Sequence, residues 1–148
     1  MWKLDTSGRI ARWRDFRKTL VNLSLDDAVL EVQEFWQGCP FNPYYLDITA
    51  PENWPSPWEL IAENYYCDLA KALGMLYTIC YTTHGNQLEP EIRVYYDSKS
   101  QHTYNLAILC QGKYVLNFRD DKIVNIESIN KNLTLKHCIG SKELQLQL

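Results

Sequence analysis

Five cysteines and three histidines are the residues of this chain best suited to covalent chemistry. Cys67 stands inside ENYYCDLAKALG, a stretch with helical character. A thiol becomes a nucleophile when an imidazolium or a helix N-terminus holds it as thiolate. If residues 57–73 form one straight helix, Trp58, Ala62, Tyr65, Leu69, Ala72 and Leu73 share a stripe. Cys67 then lies nearly opposite, among Glu59, Glu63, Asn64 and Lys71, so it either faces solvent or meets the sheet that follows. His102 opens HTYNLAILC, whose alternation puts 102, 104, 106, 108 and 110 on one face. A Gln111-Gly112 hairpin sets residue 110 against 113, so Asn117 and Asp121 share the face of His102 and Asp120 does not. An ideal register places Asp121 opposite His102 and Asn117 four residues along, roughly 13 Å at about 3.3 Å per residue. The chemistry would be thiol attack on an amide with His102 as base, the orienting group being Asn117 or Asp121.

The remaining candidates read as structural. Cys39, Cys80, Cys110 and Cys138 are scattered without CxxC or CxxH spacing, which indicates neither a disulfide framework nor a zinc site. No metal or other cofactor is expected. His137 and Cys138 are neighbours in a strand-like run and point to opposite faces. Glu89 and Glu91 flank Pro90 in a turn, and His84 precedes a Gly85-Asn86 turn.

These groups need elements to hold them. SGRIARWRDFRKTL carries Ile10, Trp13, Phe16 and Leu20 at helical spacing. SLDDAVLEVQEFWQG follows, with Ser24 as N-cap and Gly38 as stop. Ser56-Pro57-Trp58-Glu59 combines an N-cap, proline at the first helical position and glutamate at N3, opening a third helix that runs to Gly74. Beyond Gly74 the period shifts to two: MLYTICYTT, EIRVYYD, HTYNLAILC and KYVLNFR read as strands, and KIVNIES and LTLKHCI as shorter pieces. Helices followed by an antiparallel sheet make an α+β class.

The 148 residues suit a single domain, with a helical basic segment at 1–37, a connection at 38–57 and a core helix plus sheet at 58–148. Six basic residues, Lys3, Arg9, Arg12, Arg14, Arg17 and Lys18, precede a stretch from 19 to 70 with nine acids and no Lys or Arg. The connection interleaves prolines with Phe41, Tyr44, Tyr45 and Trp54 as an aromatic belt. Arg9, Arg12, Arg14 and Arg17 with the belt aromatics are the expected protein-binding surface. Nucleic acid is disfavoured, because no phosphate loop, zinc finger or RNP motif accompanies the basic start. No apolar run is long enough for a membrane span, and the start lacks a signal-peptide core, so synthesis in a cytosol without secretion is expected.

A helix-borne cysteine (YYCDLAKALGMLYT), HTYN 35 residues later, a turn glycine (QGKY) and VLNF resemble the transglutaminase-like branch of the papain-like cysteine enzymes over residues 56–120. That resemblance implies Cys67 as nucleophile, His102 as base and Asn117 as orienting group in an amide hydrolase or acyltransferase. The whole chain also resembles small uncharacterised proteins of tailed bacteriophages. This second resemblance implies a virion or assembly protein, made in the host cytoplasm, whose partners are other phage structural proteins and whose fold serves as a scaffold without chemistry.

Overall fold

The computed structural model describes residues 1–43, 45–129, 131–144 and 146. Helices α1 (Thr6–Leu20), α2 (Leu25–Trp36), α3 (Pro57–Glu63) and α4 (Asp68–Cys80) precede strands β1 (Glu91–Asp97), β2 (His102–Leu109), β3 (Tyr114–Leu116) and β4 (Leu133–Ile139). The strands form one antiparallel sheet in the order β3-β2-β1-β4, giving the α+β architecture expected of the sequence.

Local signals open the helices. The Ser24 side chain accepts from the Asp27 N–H at 3.2 Å. Ser56 and Glu59 exchange both capping-box bonds at the start of α3, with Pro57 in the first turn. The third helix does not continue to Gly74, however. It ends at Asn64, whose φ of 59° is left-handed, a conformation that asparagine tolerates better than most residues. Tyr66 then pairs with the belt: its N–H donates to Pro40 O at 3.2 Å, and its carbonyl accepts from the Asn42 N–H at 2.8 Å. Chain direction is thus reset before α4 begins.

MLYTICYTT is helical through Cys80 instead of forming a strand. Its β-branched and aromatic residues suit an element buried on every side, and packing outweighs their β propensity. From Ala72 to Cys80 every residue of α4 is buried. Trp13 Nε1 and Trp36 Nε1 both donate to Thr78 Oγ1, at 2.9 and 2.8 Å, and Thr78 donates to Gly74 O at 2.6 Å. Helices α1 and α2 are thereby keyed to one position of α4.

The inner face of the sheet buries Ile92, Ala107, Leu109, Leu116 and Ile139 in the core shared with the helices. On the outer face, Leu106, Ile108 and Val115 form a smaller cluster with Tyr104, Phe118 and Ile126 among its neighbours. The β2–β3 pairs Ala107↔Leu116, Ile108↔Val115 and Leu109↔Tyr114 keep the register expected from the turn. The turn itself is a 3-10 segment, Cys110–Gly112, with positive φ at all three residues. KYVLNFR contributes a strand of only three residues, and KIVNIES supplies an isolated bridge from Val124 to Val115 and a 3-10 turn at Ile126–Ser128.

Candidate functional site

Cys67 is the N-cap of α4, its sulfur accepting from the Ala70 N–H at 3.4 Å. The break at Asn64 puts it there and removes the straight-helix placement opposite the apolar stripe. The thiol is 7 % exposed and lines a cavity of about 760 Å³, within the roughly 300–1,000 Å³ range of ligand pockets. Belt residues Phe41, Pro43, Leu46 and Ile48 form one wall, and the inner face of the sheet at Val94, Tyr96, Thr103, Asn105 and His137 forms the other.

Asp68 organises the floor. Its Oδ2 accepts from Asn105 Nδ2 at 2.9 Å and its Oδ1 from Asn117 Nδ2 at 3.1 Å. Asn117 Nδ2 also donates to Asn105 O at 2.9 Å. Asn117 belongs to this group because β3 ends at Leu116 and Asn117 turns left-handed, with φ 73°. Its backbone N–H donates to Gln33 Oε1 at 2.8 Å, while Gln33 Nε2 donates to Arg119 O and Lys122 O at 2.7 and 3.1 Å. A fully buried glutamine of α2 thus holds the segment that delivers Asn117 to Asp68.

The structure ties Asn117 to Asp68, the neighbour of Cys67 in the chain, and places His102 and Asp121 elsewhere. Even-numbered β2 residues 102–108 face away from α4: Leu106 and Ile108 lie in the outer cluster, and the His102 ring stands 4.3 Å from that of Tyr104. Asp121 is exposed and borders a hollow with Tyr104, Phe118, Arg119 and Asp120. Asn117 does not share the face of His102, because its positive φ interrupts the alternation on which that expectation rested. The α4-facing β2 residues in the cleft are Thr103 and Asn105, and the imidazole lining it belongs to His137 on β4. Val94 pairs with Asn105 on one side and His137 on the other, so two strand spacings, roughly 10 Å, separate these backbones.

The proposed partner residues also divide. Arg9 is buried, donating to Ile61 O at 3.0 Å and Ala62 O at 2.6 Å, so it fastens α1 to α3 and offers no free charge. The Arg17 guanidinium stacks over Trp13 at 4.2 Å and donates to Tyr81 O at 3.2 Å. Desolvation, followed by repulsion from Arg14, lowers the Arg17 pKa. Arg12 and Arg14 are exposed. Trp54 is buried, its indole N–H bonded to Asp47 O at 2.7 Å, and Tyr45 is half-buried against the core. Phe41 is 74 % exposed at the cleft rim. Tyr44 lies outside the described residues.

Sequence reasoning missed Asn105, Asp68, Gln33, Lys136 and His137. Asn105 and Thr103 alternate against His102, so knowing which face of β2 meets α4 would have found Asn105. The other four emerge only from long-range packing. Burial pushes the Cys39 thiol up to about 11. Among the described residues no group of three or more His, Cys, Asp or Glu is placed to hold a metal, and no helix is long and apolar enough to cross a membrane.

No protein-family model matches the chain, and no curated protein matches its sequence. Solved structures do resemble it. LapG of Legionella pneumophila superposes with a TM-score of 0.69 at 15 % identity, over 95 % of this chain and 80 % of LapG. Its calcium-bound form gives 0.69 at 16 %, over 99 % and 87 %, and its EGTA-treated form 0.72 at 15 %, over 94 % and 76 %. LapG has a transglutaminase-like cysteine protease fold, and this chain shares that fold.

Proposed function

We propose that this chain uses the transglutaminase-like fold as a binding module, holding a protein segment in the Cys67 cleft without cleaving it. One observation carries the reading. The β2 side chain that bonds the first turn of α4 is the carboxamide of Asn105, which donates to Asp68, while Asn117 donates to the other Asp68 oxygen and to the Asn105 main-chain carbonyl. A carboxamide has no titratable proton with which to serve as general base, and a base must come within about 2.6–3.2 Å of the proton it removes. His102, the base implied by sequence resemblance, belongs to the opposite face of the sheet. A virion or assembly component, the partner implied by the resemblance of the sequence to small tailed-phage proteins, is the first to test.

The test is iodoacetamide alkylation at about pH 6, read for each cysteine by mass spectrometry, in wild type and Asn105→His. Wild-type Cys67 should react no faster than the exposed Cys138. Asn105→His should accelerate Cys67 by about tenfold or more, because an imidazolium then stands beside the helix N-terminus. Rapid alkylation of wild-type Cys67, lost in His102→Ala, would restore the hydrolase or acyltransferase reading with Cys67, His102 and either Asn117 or Asp121.

A further inference from the structure

We infer that the cleft takes an extended, mostly apolar peptide segment bearing a carboxylate, which pairs with the Lys136 ammonium; this rests on the binding-module reading above. The strongest support is a defect in β4. Val94 pairs with His137 and Tyr95 with Leu135, so Lys136 is the extra residue of a bulge. Adjacent residues of a regular strand point to opposite faces, yet Lys136 and His137 both line the cleft. A bulge re-aims a side chain in this way, at the cost of local strand pairing. Here it turns a cation toward a largely apolar cavity.

Lys136 is exposed, and among the described residues its ammonium has no ion-pair partner. Its Nζ lies 5.9 Å over the Tyr96 ring, and the ion pair formed among the described residues is Arg93–Glu91. The carboxylate in the cleft, Asp68, already accepts a carboxamide bond on each oxygen. A guest carboxylate therefore meets an unpaired ammonium, whereas a guest ammonium meets repulsion at Lys136 and an acid engaged by its own neighbours. The shape favours an extended chain. Helix α4 packs over β2, while the inner faces of β1 and β4 at Val94, Tyr96 and His137 remain open to the cleft. Opposite them, Phe41 and Leu46 offer apolar contact.

Fluorescence polarisation at low salt tests this with three labelled peptides, acetyl-Leu-Val-Glu-Val-Leu-amide and its Gln and Lys counterparts. Wild type should bind the Glu peptide about tenfold tighter than the Lys peptide, the scale of one well-placed charge pair, with Gln between them. Lys136→Glu should reverse the order, and circular dichroism confirms its fold. Equal affinities, no binding of any peptide, or an unchanged order in Lys136→Glu would overturn the inference. Mass spectrometry of the same mixtures tests the underlying reading separately. Peptide cleavage or an acyl adduct on Cys67 overturns the binding module, whatever the charge preference.

Discussion

Thr78 shows how much can depend on one small polar side chain in an apolar helix. Its hydroxyl accepts from two indoles contributed by different helices, and neither Trp13 nor Trp36 has measurable exposure. Thr78→Val preserves volume but strands both N–H groups. At about 1–3 kcal/mol for each buried unsatisfied donor, the loss should total about 2–6 kcal/mol, seen as a lower urea midpoint at unchanged slope. Thr78→Ser should recover most of it. The two tryptophans are readable in sequence as members of helical stripes; the residue joining them is not, because it falls in a stretch whose composition suits a strand. The site follows the same logic. Cys67 stands out by residue type, and Asn117 by its spacing from the turn. Asn105 is hidden because strand alternation separates two faces without saying which one meets a helix.

At the level of elements, the chain signals where helices start more clearly than where they stop. Ser24 and the Ser56–Glu59 box act as expected, since capping depends on residues three apart. The break at Asn64 depends on Tyr66 finding the belt backbone and on Asn64 Nδ2 finding Trp2 O at 3.0 Å, contacts with no local signature. Gly74 marks a close approach between α4 and α2. A Cβ there would lie 2.4 Å from Trp36 Cη2, with two further ring carbons within 2.6 Å. Gly74→Ala should gain about 1 kcal/mol of helix propensity and lose more to overpacking, for a net destabilisation of about 1–3 kcal/mol in chemical unfolding. A gain in stability would mean that Trp36 moves freely, contrary to its packing against Trp2 and Tyr66.

Viewed as one molecule, the protein buries neutral acids that resist ionisation. Burial raises the thiols of Cys39 to about 11 and Cys80 to about 12, and it raises the phenols of Tyr66 and Tyr77. An unfolded thiol ionises near about pH 8.5 and a phenol near about 10, so above these values the unfolded state binds fewer protons than the folded one. Stability therefore falls as pH rises, by about 1.4 kcal/mol per pH unit for each group between its unfolded and folded values. The melting temperature should drop steadily above about pH 9, less steeply in Cys80→Ala than in wild type. A flat profile to about pH 11 would contradict the burial of these groups. Charge segregation along the sequence is a poorer guide at this scale, because Arg9 and Arg17 are consumed in holding helices together. The strand order carries a consequence for biosynthesis. β1 is an interior strand whose second neighbour, β4, begins 36 residues after β1 ends. At roughly 5–20 residues per second, the ribosome leaves that edge unpaired for about 2–7 s after β1 has been made. During that interval the nascent chain displays an open, partly apolar ladder and lacks the wall that carries Lys136, so any chaperone acting on it would engage the cleft before the cleft could select a guest.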